Sequence, residues 1–202
     1  EGFLTLHRAS VQDHRMFKDM PAIPGASESL WRLSDAGVWI RVITHRLVTN
    51  WGHAIIVSDT VVWLDLRRIP YRDLCFLGRK VEVQADAYVE DAPHNIEALR
   101  AGGNTVIVFD QPYNRDIEGL RAHDWDEVEA IVAELIAADG GAYAGQFPGL
   151  DAGADRLDRR ILAFEHPRRA GKDEDGFIHP GGFHDTAIQR DIALQHGEAA
   201  LG

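Results

Sequence analysis

Three short stretches of the sequence place polar side chains after apolar, strand-like runs. Thr44 follows VWIRVI, Lys80 comes shortly after DLCFLG, and Glu90 and Asp91 follow AYV. A hydroxyl, an ammonium group and a pair of carboxylates suit a phosphate ester bound together with Mg²⁺. The hydroxyl and ammonium groups can bind phosphoryl oxygens, and carboxylates hold a hard cation. Phosphoryl transfer needs little beyond such positioning and charge stabilisation.

Each of these residues also has a purely structural interpretation. Thr44 could simply end its strand, and Lys80 could be a solvated surface lysine. The carboxylates of Glu90 and Asp91 could cap a following helix, which is a common structural use of acidic residues. The order and spacing of the three groups along one framework favour the functional interpretation.

That framework is an alternation of predicted helices and strands up to residue 139. Four apolar runs have the length of strands, and they cover residues 38–43, 73–77, 86–90 and 104–109. Apolar residues at helical spacing predict helices that cover about residues 1–17, 27–36, 51–67, 93–103 and 124–135. Ser27 and Asp124 are the predicted N-caps of two of these helices. Nearly continuous apolar strands predict a parallel sheet covered on both faces, with ligands bound beyond the carboxyl ends of the strands.

Residues 140–202 differ in composition from the rest of the chain. They hold more than half of the 19 glycines and few periodic apolar positions. We therefore predict an irregular or flexible C-terminal extension, with at most a short strand in RILAFE, residues 160–165, and a weak helix over residues 186–200.

The overall composition limits the partners and the location of the protein. The chain has 202 residues, 45% hydrophobic content and a formal net charge of −11, which argues against a nucleic acid polymer as the main partner. No apolar run approaches the roughly 20 residues that span a bilayer, and no signal peptide pattern opens the chain. The single cysteine, Cys75, is predicted to be a core residue and excludes an intramolecular disulfide. We expect a cytoplasmic protein without a membrane partner; the sequence carries no signal of its oligomeric state.

Taken together, the motifs resemble those of the haloacid dehalogenase-like superfamily. Thr44, Lys80 and the stretch YVEDAPHN are similar to its second, third and fourth motifs. The stretches FKDMPAIPGA, ITHRL, EDAPHNIEALRAGG and VFDQPYNR resemble bacterial members of its 5′-nucleotidase branch, the deoxyribonucleotidase-like proteins. The resemblance covers about residues 1–135. It implies an α/β fold with a Rossmann-like, three-layer parallel sheet at residues 23–139, preceded by the remnant of a helical cap at residues 1–22.

The resemblance also implies an activity, which is Mg²⁺-dependent hydrolysis of a small phosphorylated substrate, such as a nucleotide, through an aspartyl-phosphate. On that pattern Thr44 would bind the phosphate and Lys80 would stabilise the phosphorylated state. Asp91 would ligate Mg²⁺, and Glu90 would ligate it or support it from outside the ligand shell. Six more residues are predicted substrate contacts, namely His45, Arg46, Asn95, Tyr113, Asn114 and Arg115. The alternative for His45 and Arg46 is a strand-end cap, and the alternative for residues 113–115 is a surface turn.

One motif of the superfamily does not lie where the pattern places it. No strand followed by Asp-x-Asp-Gly precedes Thr44, and the DEDG at residues 173–176 follows HPRRAGK rather than an apolar strand. We therefore predict a turn there, and no turnover by residues 1–202. The expected central strand of the sheet is missing for the same reason, and we do not expect RILAFE to replace it. A non-catalytic binding or assembly module, or a fragment, is the alternative interpretation.

Overall fold

The computed structural model describes residues 2–47, 51–138 and 161–164. These residues belong to the first of two compact units, residues 1–167. The second unit, residues 168–202, lies outside the described residues. The predicted turn at residues 173–176 and the predicted weak helix at residues 186–200 lie outside them as well.

Helices form the N-terminal segment and cover the two faces of the sheet. The first two are α1, Phe3–Gln12, and α2, Met16–Asp19. Four longer ones follow, and they are α3, Ala26–Asp35, α4, His53–Leu66, α5, Pro93–Ala101, and α6, Trp125–Ala138. A short 3-10 helix spans Lys80–Glu82. None of the helices in the described ranges has the length and apolar character needed to cross a membrane.

The described strands form one sheet in which every neighbouring pair is parallel. The strands are β1 (Trp39–Thr44), β2 (Asp73–Phe76), β3 (Ala87–Glu90), β4 (Val106–Phe109), β5 (Arg121–Ala122) and β6 (Ile161–Phe164). Their order across the sheet is β2-β1-β6-β3-β4-β5. The prediction of an α/β fold with a parallel sheet is confirmed, because the four predicted strands are all present and lie on two sides of one central position.

That central position is occupied by β6, so the expectation that RILAFE would not fill it was wrong. Four residues of β6 pair with β1, from Trp39↔Ile161 to Val42↔Phe164. On its other side β6 pairs with β3, from Ala87↔Leu162 to Val89↔Phe164. The central place of a parallel sheet is covered on both faces and suits a short, continuously apolar run. Pairing on both sides also satisfies backbone groups of β1 and β3 that would otherwise be buried without partners.

The sheet separates two helical layers, because successive residues of a strand face opposite sides. On one side Ile40 and Val42 pack in a core with α3, α6 and the end of α4, which contributes Trp63. On the other side Ile43 packs in a second core with Ile96 and Leu99 of α5. The three layers that the resemblance implied are therefore present.

The helix predicted over residues 1–17 is interrupted at Arg15. Arg15 has a positive φ of 48°, which places it in the left-handed region between α1 and α2. Its guanidinium forms an ion pair with Asp59 of α4, and its Nε donates to Asp59 Oδ2 at 2.7 Å. Asp59 is buried, so it needs a cationic partner. The interruption therefore lets Arg15 serve as that partner.

One of the two predicted N-caps is correct. The N–H of Glu127 donates to Asp124 Oδ1 at 2.8 Å, which confirms Asp124 as the cap of α6. The prediction for Ser27 was wrong, because α3 already begins at Ala26, after Gly25 with a positive φ of 81°. The Ser27 hydroxyl instead donates to the carbonyl of Arg68 at 2.8 Å.

Candidate active site

The carboxyl ends of β1 and β3 place Thr44 and Glu90 at the same edge of the sheet. Both residues are the last of their strands, and both are buried. The strand β6 lies between them, and its Phe164 pairs with Val42 on one side and Val89 on the other. Neighbouring strands lie about 4.8 Å apart, so β1 and β3 are separated by about 10 Å across β6. A phosphate group with a hydrated cation has this size.

Lys80 reaches the same edge from the loop that follows β2. It is the first residue of the 3-10 helix and is 5% exposed. Its ammonium group forms an ion pair with Glu90 Oε2. The loop before it is attached to β1, because the N–H of Leu77 donates to the carbonyl of Thr44 at 3.1 Å. Lys80 therefore lies at the carboxyl end of the sheet, close to Glu90.

The two adjacent carboxylates have different surroundings. Glu90, 2% exposed, uses both oxygens within the protein, since Oε2 contacts Lys80 and Oε1 accepts the N–H groups of Asp91 and Ala92 at 3.2 and 3.0 Å. Asp91 is 8% exposed, and its Oδ2 accepts a hydrogen bond from the Tyr113 hydroxyl. Glu90 thus balances the charge of Lys80, whereas Asp91 is the carboxylate better placed to meet a ligand.

The hydrogen bonds of the Glu90 carboxylate are not those of a helix cap. The N-cap of α5 is Ala92, which makes no side-chain capping hydrogen bond. The Glu90 carboxylate binds the N–H groups of Asp91 and Ala92, which precede the helix. The geometry therefore disfavours the capping interpretation of Glu90.

The loop after β4 carries three of the predicted substrate contacts. Tyr113 is 37% exposed and holds the Asp91 carboxylate through its hydroxyl. Asn114 is buried, and its Nδ2 donates to the main-chain carbonyl of Asp91 at 2.8 Å. Arg115 is exposed, with its Nε 3.8 Å from Asp110 Oδ2. Two of the three thus touch Asp91 directly.

Two of the remaining predicted contacts, His45 and Arg46, contact other elements of the fold. The imidazole of His45 packs on Gly78, where an added Cβ would lie 3.4 Å from its Nε2. The buried Arg46 donates from Nη1 to the Thr60 hydroxyl at 3.1 Å, and its guanidinium lies 4.6 Å from the centre of the Phe17 ring. These contacts attach the end of β1 to α2 and α4.

Asn95 lies in the first turn of α5 and is partly buried. Its backbone N–H donates to the carbonyl of Ala92 at 3.1 Å. A contact between substrate and Asn95, His45, Arg46 or Arg115 remains a prediction.

The chemistry of the edge fits a magnesium ion held by few protein ligands. The described residues contain no group of three His, Cys, Asp or Glu side chains arranged to hold a metal. Mg²⁺ commonly binds through one or two carboxylates and completes its shell with water and substrate phosphate. The Asp91 carboxylate fits that pattern as a single ligand, because the carboxylate of Glu90 is already engaged with Lys80.

Arg121 is a residue of this region that the sequence interpretation missed. It lies on the short edge strand β5 and donates hydrogen bonds to the loop that holds Asp91. No motif marks it, since a single arginine after Gly119 and Leu120 has no distinctive spacing.

Burial affects the pKa of two side chains of the sheet. Burial raises the pKa of the Cys75 thiol in β2. It also raises the pKa of Tyr88, whose hydroxyl donates to the carbonyl of Val83 in the loop after the 3-10 helix. Both groups therefore stay neutral at neutral pH and add no charge near the carboxylates.

Comparison with known proteins identifies the family to which this sequence is similar. The sequence model of the family described as "5' nucleotidase, deoxy (Pyrimidine), cytosolic type C protein" matches residues 2–138. No solved structure gives a significant match.

Curated relatives carry related names. A protein named "Putative 5'(3')-deoxyribonucleotidase" from Chlorobaculum tepidum is 46% identical over 132 residues, which cover 65% of this chain and 65% of that protein. A protein of the same name from Bordetella parapertussis is 29% identical, over 60% of this chain and 65% of that protein. The "5'(3')-deoxyribonucleotidase" of Bacillus subtilis is 24% identical, over 58% and 65% respectively. The chain therefore spans less than two thirds of the length of the curated relatives it matches.

Proposed function

The chain belongs to the family of 5' nucleotidase, deoxy (Pyrimidine), cytosolic type C proteins, and from that premise we propose that the protein is a magnesium-dependent nucleotidase, a phosphatase of the haloacid dehalogenase type. Its substrate is a deoxyribonucleoside monophosphate, the class that the names of its relatives indicate. A cytoplasmic location is part of the same proposal and rests on the composition of the chain.

The observation that carries the proposal is the grouping of unlike polar residues at one edge of the sheet. Thr44 ends β1, Glu90 ends β3, and Lys80 reaches Glu90 from the loop after β2. All three residues are buried. Buried charges cost free energy unless they are paired, so their retention at a strand edge favours a site over a surface feature.

A role in binding follows for each of these residues from its chemistry. The Asp91 carboxylate would hold Mg²⁺ together with water and the substrate phosphate. The bound cation would neutralise phosphoryl oxygens and polarise the ester. The Thr44 hydroxyl would donate to a phosphoryl oxygen, and the Lys80 ammonium would stabilise its negative charge. Glu90 holds the lysine in place, since its carboxylate is fixed by two backbone N–H groups.

A non-catalytic binding module is the second candidate, and one observation favours it. In the part of the chain described, the acidic groups at the edge are engaged: both oxygens of Glu90 are hydrogen-bonded, and Asp91 accepts from Tyr113. A nucleophile needs an adjacent base or a lowered pKa. Thr44 and Asp91 serve binding better than attack on phosphorus.

Release of phosphate from a deoxyribonucleoside monophosphate separates the two candidates. Residues 1–202 would be assayed with Mg²⁺, beside the Asp91→Asn and Asp173→Asn variants. Turnover that is lost in Asp91→Asn supports the nucleotidase. Turnover that is lost in Asp173→Asn would show that DEDG supplies the attacking group. Mg²⁺-dependent binding without release supports the binding module. Turnover unaffected by Asp91→Asn would contradict the role given to that carboxylate.

A further inference from the structure

The side-chain amide of Asn114 makes four hydrogen bonds within the protein. Its Nδ2 donates to the main-chain carbonyls of Asp91 and Phe109, both at 2.8 Å. Its Oδ1 accepts from the N–H of Gln111 at 3.0 Å and from Arg121 Nη1 at 2.9 Å. An asparagine amide offers two donors and two acceptor lone pairs, so its capacity is completely used.

This pattern changes the interpretation of Asn114. The residue is 1% exposed, and a contact with substrate would break one of its buried hydrogen bonds. Leaving a buried polar group without a partner costs about 1–3 kcal/mol. Asn114 is therefore better suited to fix the backbone of Asp91 and the end of β4 relative to each other than to bind a ligand.

Arg121 fixes Asn114 in turn. Its Nη1 donates to Asp110 Oδ1 at 2.8 Å and to Asn114 Oδ1 at 2.9 Å. Its Nη2 donates to the main-chain carbonyls of Asn114 at 2.9 Å and of Ile117 at 2.6 Å. One guanidinium thus binds the loop at its start, its middle and near its end, and the planar fork of arginine suits this geometry better than a lysine would.

We propose that Arg121, acting through Asn114, is a positioning residue for Asp91 and thereby sets the affinity of the site for a divalent cation. The route runs from the guanidinium on β5 to the Asn114 amide and then to the carbonyl of Asp91. Tyr113, the neighbour of Asn114 in the loop, holds the Asp91 carboxylate itself. The same loop therefore orients both the backbone and the side chain of Asp91. This inference rests on the cation-binding role of Asp91 in the proposed function.

The chain offers a matched control for testing this proposal. Arg115 lies in the same loop and also faces Asp110, at 3.8 Å, but it is 67% exposed. We expect Arg121→Met to raise the dissociation constant for Mn²⁺ alone about tenfold, the lower end of the usual effect of residues that orient metal ligands. Electron paramagnetic resonance of free Mn²⁺ measures this constant. Arg115→Met should leave the dissociation constant unchanged. Arg121→Lys, which keeps the charge and some donors, should weaken Mn²⁺ binding less than Arg121→Met does.

A second readout does not depend on a metal. The side-chain N–H₂ protons of Asn114 are buried and hydrogen-bonded, so in the original protein they should exchange slowly with solvent in ¹⁵N-edited spectra. Their exchange rate should be at least several-fold higher in Arg121→Lys and unchanged in Arg115→Met. This comparison of exchange rates tests the proposal even if the Arg121→Met variant does not fold.

The outcomes separate this inference from the proposed function. Equal Mn²⁺ affinity in Arg121→Met and the original protein, with Asp91→Asn binding much more weakly, would overturn the positioning role alone. Unchanged Mn²⁺ affinity in Asp91→Asn would overturn the cation-binding role of Asp91. The exchange rate of the Asn114 side-chain protons would then test whether Arg121 positions the backbone of Asp91. Equal proton exchange in all three proteins would overturn that positioning as well.

Discussion

Replacing Lys80 with methionine should lower the free energy of unfolding by about 3 kcal/mol. The ammonium group and the Glu90 carboxylate form an ion pair in which the side chains are 5% and 2% exposed. Removing one partner of a buried ion pair typically costs about 3–5 kcal/mol, because the other charge stays buried without compensation. The lower end applies here, since Glu90 keeps the N–H groups of Asp91 and Ala92. Urea unfolding at pH 7 measures the loss.

Two further variants make this result specific to the pair. Arg79→Met removes the neighbouring cation, which is 77% exposed and 3.7 Å from Glu82, and should change the free energy of unfolding by less than about 0.5 kcal/mol. In Lys80→Met combined with Glu90→Gln no uncompensated charge remains, so the double variant should be more stable than Lys80→Met alone. If Lys80→Met matched the stability of the original protein, the two groups would not form a buried ion pair in solution.

Removal of β6 should have the largest effect on folding. Residues 1–138 lack the strand that pairs four residues of β1 and three of β3. The backbone groups left unpaired in the middle of the sheet cost about 1–3 kcal/mol each, and their sum exceeds the roughly 5–15 kcal/mol stability of an ordinary domain. We therefore expect residues 1–138 to show no cooperative thermal transition by circular dichroism.

The matched protein for this comparison is residues 1–167, which keeps β6 and corresponds to the first compact unit. It should unfold cooperatively, within a few degrees of the whole chain. A cooperative transition of residues 1–138 at the same temperature as residues 1–167 would show that β6 contributes nothing to the sheet.

Four strands could be predicted from the sequence because each is a continuous apolar run. Residues 38–43 and 86–90 were predicted, and β1 and β3 lie within a residue of those bounds. The strand β5 is different because its two residues carry no measurable periodicity. The strand β6 is as long as β2, β3 and β4, but it lies in a stretch whose composition predicts an irregular extension. The conformation of both strands depends on hydrogen bonds to their neighbouring strands, and those strands come together only in the folded sheet. This is why β5 was missed and the role of β6 was predicted wrongly.

The break between α1 and α2 has a similar origin. Apolar residues continue at helical spacing through Met16 and Phe17, so the local pattern predicts one helix. The break at Arg15 is decided instead by the ion pair with Asp59, 44 residues away in the sequence. A local pattern contains no information on that partner.

The candidate site shows the same division. Thr44 and Glu90 could be located from the sequence, because strand ends in a parallel sheet meet at one edge. The direction of the Arg46 guanidinium, toward Phe17 and Thr60, depends on packing between distant elements. The hydrogen bonds of Arg121 depend on the path of the loop after β4, which no spacing rule describes.

Binding of a deoxyribonucleoside monophosphate tests whether this edge of the sheet is a magnesium-dependent phosphate site. Isothermal titration of residues 1–202 with dUMP, with and without Mg²⁺, would be compared with Asp91→Asn and with Asp116→Asn, an exposed residue of the nearby loop. We predict that Mg²⁺ strengthens binding at least about tenfold in the original protein and in Asp116→Asn, and has no effect in Asp91→Asn. Binding that is indifferent to Mg²⁺, or equally strong in Asp91→Asn with Mg²⁺, would show that this edge of the sheet is not such a site.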